Sequence, residues 1–237
     1  MEITKREVFV SICILCLMLV FGLLIQQAIR TAVTKANKEY ETAVQIEDPA
    51  TFKYAMSTNV GNAFVCGELK AVDPVCNEEI EGEWLWLRKI KERYTQHQRT
   101  VTHTDGKKTW TTVEYYWTWD EVHRDTWHSQ KITFLEQEFD YGLINVSSQH
   151  HIKTDKHDNT RYVWYGMSTV HKGVIYSKLA NKTITPADLM EDKTIQEAYK
   201  DTIKSETLFL ILFWILWGLL AGGMVFCFCY FENRWLE

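Results

Sequence analysis

The side chains in this sequence best suited to chemistry are its eight histidines, its six cysteines and a number of carboxylates, and their spacing decides what they can do. If the segments flanking Asp105-Gly106 pair as a hairpin with those two residues at its centre, His97 lies across from Glu114. Such a pair can pass a proton between imidazole and carboxylate. No nucleophile or substrate-holding loop accompanies it, so it reads as a cross-strand electrostatic contact. His150, His151, Asp155, His157 and Asp158 crowd the polar interval from Ser147 to Thr160. They are metal-ligand types, but their spacing follows neither a zinc nor a calcium-loop pattern, and the interval reads as a solvated loop. Cys66 and Cys76 are the cysteines outside the apolar runs, and in an oxidising compartment a disulfide between them would close a short hairpin-like segment. No nucleophile elbow, zinc-protease helix or phosphate-binding glycine loop is present. The expectation is a protein that is not an enzyme and has no metal and no cofactor. What remains is a polar surface of Arg93, His97, Arg99, Lys107, Lys108 and Glu114, a candidate for receiving a protein or a small anionic ligand.

The elements that position these residues are set by two apolar runs. Leu208 to Phe231 is free of charge, and at about 1.5 Å per helical residue it crosses a hydrocarbon core of about 30 Å with some tilt. Val8 to Ile25 is a shorter uncharged run, still of spanning length. Its apolar core exceeds that of a cleavable signal, and no small-residue cleavage site follows it, so it reads as a retained anchor. The intervening stretch carries a formal charge of −4, which argues against a broad nucleic-acid surface.

The expected fold class is an α+β membrane protein, with N-terminal and C-terminal transmembrane helices flanking a β-rich domain with membrane-proximal helices. Residues 1–7 form a short tail, 8–26 the first transmembrane helix and 27–48 a membrane-proximal helix. Residues 49–184 form the β-rich domain, 185–206 an amphipathic helix, 207–231 the second transmembrane helix and 232–237 a C-terminal tail. Thr185-Pro186-Ala187-Asp188 supplies the start signal for the amphipathic helix, with Thr185 as cap and Pro186 in the first helical position. Within the second span, Gly218, Ala221, Gly222 and Gly223 offer small-residue packing against the first span or a neighbouring subunit. Cys13, Cys16, Cys227 and Cys229 read as small apolar residues of the spans. Trp214, Trp217, Tyr230 and Trp235 are candidate interfacial anchors.

In the domain, Glu47-Asp48-Pro49-Ala50 marks a break and Lys53 to Leu69 reads as β-like. Asp105-Gly106 suits a tight turn between two long strands. With those residues central, Tyr94, Val113, Tyr115, Trp117 and Trp119 share one face, a wall for the core, while Arg93, His97, Arg99 and Glu114 share the other.

Through Gly67-Glu68-Leu69, Asp73-Pro74, the run from Leu87 to Tyr94, Asp105-Gly106-Lys107, Tyr115-Tyr116-Trp117-Thr118-Trp119, Ser129 and Phe134, the chain resembles the transmembrane protein 43 family. More distantly it resembles the beside-a-membrane domains of mitochondrial ubiquitin-ligase relatives. The resemblance covers roughly Val65 to Phe134. Members of the first family generally carry additional C-terminal membrane helices where this chain has one, and the chain has no RING finger. The resemblance implies a membrane-associated scaffold or a stress-related organiser, and it supplies no catalytic residues.

The functional expectation is a non-enzymatic scaffold that self-associates or binds another membrane protein. Its partners would be the lipid bilayer and itself or another membrane protein. The alternative is a ligand- or protein-sensing membrane effector in defence or stress signalling, acting by oligomerisation or membrane perturbation. Lys5 and Arg6 before the first span place the termini in the cytoplasm and the domain on the extracytoplasmic or lumenal side.

Overall fold

A computed structural model describes residues 5–235. Residues 1–4 of the N-terminal tail, residues 236–237 of the C-terminal tail, and the side chains of Lys5, Glu7, Asn233, Arg234 and Trp235 lie outside the described residues. The elements run α1 (Lys5–Glu41), β1 (Val44–Ile46), α2 (Pro49–Ser57), β2 (Gly61–Ala71), β3 (Val75–Asn77), β4 (Ile80–Trp84), β5 (Trp86–Asp105) and β6 (Lys108–His128). They continue with β7 (Lys131–Phe134), β8 (Gln137–Asp140), β9 (Ile144–Asn145), β10 (His150–His157), β11 (Thr160–Met167), β12 (Val170–Ala180), β13 (Thr183–Ile184), β14 (Ala187–Glu191), α3 (Ile195–Thr202) and α4 (Glu206–Trp235). Two compact units result: a helical one, Met1–Ala43 with Tyr199–Glu237, and a β-rich one, Val44–Ala198.

In the helical unit, α1 has 37 residues and α4 has 30, so each outruns a hydrocarbon core of about 30 Å. Most of their apolar side chains face away from the chain, as a lipid-facing surface requires. The two helices run antiparallel, joined by successive polar rungs. Arg6 meets Glu232 at 3.4 Å, the Trp217 indole N–H donates to the Met18 carbonyl at 2.9 Å, and the Trp214 indole donates to the Gln26 amide oxygen at 3.0 Å. Arg30 meets Glu206 at 3.0 Å. The buried Asn37 amide closes the ladder, donating to the Lys204 carbonyl and accepting from its N–H, both at 3.0 Å. A polar group turned away from water needs such a partner, and each indole finds one on the facing helix.

The membrane-proximal helix expected over 27–48 is the continuation of α1, and it ends at Glu41. Val44–Ile46 is instead strand β1, paired in parallel with Ala63–Val65 of β2. The stretch from Lys53, expected as β-like, begins inside helix α2. Asp48 caps that helix by accepting from the Thr51 N–H at 2.8 Å, and Pro49 sits in its first turn. Phe52, Ala55 and Met56 then fall on one buried helical stripe, and the Phe52 ring meets Phe134 edge-on at 6.1 Å.

The β-rich unit is built on one large sheet with strand order β8-β7-β2-β12-β14-β9, to which β1 adds on β2 and β13 on β12. Ile46, Phe52, Val65, Leu69, Ile132, Phe134, Ile175 and Leu179 form its dry centre. A second sheet has the order β10-β11-β5-β6, and β3 and β4 form a small hairpin. Trp164 is fully buried in a cluster with Ile80 and Leu87.

Two further expectations are corrected here. The helix read from Thr185-Pro186 does not start there: Ala187–Glu191 is strand β14, antiparallel to β12 and parallel to β9. Its Ala187 and Leu189 are buried and Asp188 is exposed, the alternation of a strand. The helix begins at Ile195 behind a stronger signal, in which the Thr194 hydroxyl accepts from the Glu197 N–H and the Glu197 carboxylate accepts from the Thr194 N–H. The polar interval from Ser147 is likewise no solvated loop over His150–His157, which is strand β10. It pairs with β11 across a turn at Asp158, whose φ is 51°.

Candidate functional site

The candidate surface is the β5–β6 hairpin, the longest pairing in the chain. Gly106 occupies the first of two central turn positions with φ of 58°, the requirement of a type II′ turn. The turn is therefore Gly106-Lys107, closed by Asp105 opposite Lys108, rather than the expected Asp105-Gly106. The register moves by two residues, so Tyr94 faces Trp119, Gln96 faces Trp117, Gln98 faces Tyr115 and Arg99 faces Glu114. A shift of two preserves the parity of the strands, and the residues that were expected to share each face still do.

What surrounds those faces differs from the expectation. Strand β11 accompanies β5 only from Trp86 to Arg93, and a last bond runs from the Tyr94 N–H to the Asn159 carbonyl at 2.9 Å. Beyond it the hairpin continues as a two-stranded ribbon of about 40 Å at roughly 3.3 Å per residue. No residue from Gln96 to Trp117 is buried. The face of Tyr94, Val113, Tyr115, Trp117 and Trp119 is therefore no core wall: Tyr115 is 65 %, Val113 54 % and Trp117 50 % exposed. The hairpin outruns its neighbouring strand β11, and no residue of this outer part is buried on either face. The aromatics pack on one another instead, with Tyr94 stacked on Trp117 at 5.1 Å and tilted on Trp119 at 5.0 Å. Only Trp119, at the base, is capped, by Arg161 at 4.6 Å and Lys156 at 5.3 Å.

The opposite face holds Arg93, His97, Arg99, Lys108 and Glu114 together, with Lys107 in the turn. His97 does not meet Glu114. It hydrogen-bonds Asp120 at 2.6 Å and stacks on Tyr116, while Glu114 takes two bonds from the Arg99 guanidinium at 2.8 and 2.9 Å. The two-residue register change is what exchanges these partners. The Thr118 hydroxyl and then His97 hold the Asp120 carboxyl below its usual range. Arg99 and Glu114 are thus paired with each other, while Lys107 and Lys108 are exposed at the tip.

Two further clusters test for chemistry. His171, buried on β12, lies between Ser148 and Glu191, a serine, a histidine and an acid that the sequence reading did not single out. Both oxygens approach the same ring nitrogen, Nδ1, at 3.3 Å, and Nε2 lies 2.8 Å from the Ser168 carbonyl. A hydrolytic triad needs serine and acid on opposite nitrogens, so this ring cannot relay a proton between them. Of the interval His150–Asp158, His151 bonds Thr154, the His150 ring lies tilted on Trp84 and Asp155 pairs with Lys153. Among the described residues no group of three or more His, Cys, Asp or Glu side chains is gathered to hold a metal.

Cys66 and Cys76, a possible disulfide in an oxidising compartment, are both free thiols here. Cys66 is held in the middle of β2 opposite Val174, and Cys76 lies in the separate β3–β4 hairpin. Burial, with Glu47 nearby, pushes the Cys66 thiol up. Asp73, which precedes Pro74, clasps the β6–β7 junction. It accepts from the Ser129 hydroxyl at 2.6 Å and from the N–H groups of Gln130 and Lys131 at 2.9 and 3.0 Å. These bonds hold its carboxyl at about 2. The Asp-Pro pair signals the turn, but its partners are more than fifty residues away.

In the spans, the small residue that permits contact is Gly22. A Cβ there would come within 2.7 Å of the Trp217 indole nitrogen and 3.0 Å of Trp214. Ala221 is buried, but Gly218, Gly222 and Gly223 have open space around them, so packing onto the first span uses none of these glycines. The bulky tryptophans of α4 need the small residue on α1.

Two long apolar helices on either side of a β-rich domain define an integral two-pass membrane protein. No known family, curated protein or solved structure matches the chain.

Proposed function

We propose that this protein is a non-enzymatic membrane scaffold whose β-rich domain presents the β5–β6 ribbon to a second copy of itself or to another membrane protein. The single observation that carries this reading is the ribbon's exposed aromatic face. Tyr, Trp and Val side chains over about 20 Å of the ribbon are costly to leave in water, and Tyr and Trp are enriched at protein interfaces. Apolar helices before and after a β-rich domain in the sequence accord with the resemblance to the transmembrane protein 43 family. The basic residues Lys5 and Arg6 favour cytoplasmic termini and an extracytoplasmic or lumenal domain. Arg30, Lys35 and Lys38 beyond the first span act in the opposite sense.

The test is the mass of the complex released gently from the membrane, measured by native mass spectrometry with controls for bound lipid and detergent. A discrete multimer or a reproducible stoichiometric partner supports the scaffold. A lone monomer in nanodiscs cut from the membrane without a detergent step, with no partner beside it, overturns it.

A further inference from the structure

The outer edge of β6 is unpaired from Lys108 to His128, since among the described residues this strand bonds only to β5. Its two halves are built differently. The half nearest the domain carries Asp120, Glu121, His123, Arg124 and Asp125, and it is interrupted at Val122, where the register slips between Lys91 and Glu92. Charges and a bulge are the devices by which folded proteins stop an edge from recruiting another strand. The outer half, Thr109 to Trp117, has no bulge, and its one charge, Glu114, is already engaged by Arg99. One half of the edge is defended and the other is left receptive.

We propose that two copies of this chain pair along that receptive half, β6 antiparallel to β6 about a two-fold axis at Val113, joining two ribbons into a four-stranded sheet. The inference rests on the self-association reading and names its surface. A two-fold contact must be self-complementary, with residue i meeting j and j meeting i. Around Val113 the strand is small on one side (Thr109, Thr111, Thr112) and bulky on the other (Tyr115, Tyr116, Trp117). Antiparallel self-pairing sets Thr109 against Trp117, Thr111 against Tyr115 and Trp110 against Tyr116, with Val113 on Val113. These are aromatic and β-branched cross-strand pairs of the favourable kind, and no like charges meet. The free edge of β5 lacks this pattern and carries Arg99 and Asp105.

The area sets where the pairing holds. A strand edge about 30 Å long and about 10 Å thick buries on the order of 600 Å² over both copies, half of the ~1,200 Å² at which freely diffusing partners form stable complexes. Two chains anchored in one bilayer meet at a raised effective concentration, which lets a contact of this size persist. Dimerisation in the membrane and dissociation on dilution in detergent follow.

The experiment uses full-length chain in liposomes, with Cys66 and Cys76 replaced by serine. V113C is oxidised beside a control lacking it, and T111C is mixed with a separately tagged Y115C chain. A disulfide-linked V113C dimer and a T111C–Y115C heterodimer are expected. T111C or Y115C alone should give little product. T111K/Y115K, which sets lysine opposite lysine, should abolish the V113C dimer while leaving the circular dichroism spectrum unchanged, and a T111K chain should cross-link again to a Y115E chain. If an amine-reactive cross-linker traps dimers in the same liposomes but V113C gives none, self-association stands and this edge is overturned. If neither reagent yields a dimer, both readings fall.

Discussion

Cutting away the ribbon should barely disturb the domain that carries it. The perturbation is replacement of residues 96–117 by an Asn-Gly turn joining Thr95 to Thr118, which face each other in the hairpin. None of the removed residues is buried, so the core of Phe52, Phe134, Ile175 and Leu179 loses no contact. What the remainder loses is the Trp117 ring from its stack on Tyr94, together with the half-buried bond between His97 and Asp120. An aromatic pair contributes about 0.5–1.5 kcal/mol beyond its area, and shortening the loop returns a few tenths through lower closure entropy. The net cost is about 1 kcal/mol, or about 2–4 °C in Tm for a domain of this size. Phe52→Ala, which empties a fully buried site, serves as the calibrator at about 3–5 kcal/mol. The assay is hydrogen exchange of the β2 and β12 amides in full-length protein in nanodiscs, with thermal unfolding read alongside. The truncated chain should keep its protection and lose its cross-linking in liposomes. A destabilisation approaching that of Phe52→Ala would refute the reasoning, because it would mean that the ribbon packs on the domain.

Gly22→Leu should force Trp214 and Trp217 off the first span, at the cost of about 1–3 kcal/mol expected of overpacking, and should blue- or red-shift tryptophan emission in bilayers; an unchanged spectrum would argue against the close approach of these helices. Asp73→Asn should lower stability at neutral pH and remove an acid dependence. The folded carboxyl, at about 2, lies below its ordinary value of 3.8, so its contribution is complete above about 4 and is lost as pH falls through about 2. Acid titrations of the two proteins should therefore converge between about pH 4 and 2, and parallel curves would exclude the clasp. Without reductant, Cys76 should take up maleimide quickly and Cys66 slowly, as a half-buried thiol pushed up by desolvation does; failure of both to label after unfolding would restore the disulfide.

Features that depend on composition or on a single turn were legible in the chain itself. Uncharged runs of spanning length mark both membrane helices, because no local pattern can hide a continuous apolar stretch. Gly106 marks the hairpin because few other residues adopt its backbone, and period-two alternation then assigns each side chain to a face even when the turn is placed one residue out and the register therefore two. Ala187 and Leu189 alternate as strand residues do, although Thr185-Pro186 also resembles a helix start. Only the finished sheet, with β12 on one side and β9 on the other, decides between them. Whether Tyr115 and Trp117 are core or surface is not encoded in β6 at all. It depends on whether another layer of the fold is laid over that face, which is a fact about other segments; even the in-sheet neighbour β11 ends at the level of Arg93. The partners of Asp73, Gly22 and His171 are of the same kind. Alternation fixes which way a side chain points, but burial and hydrogen bonding depend on what distant segments bring to meet it, and that is settled only by the tertiary fold.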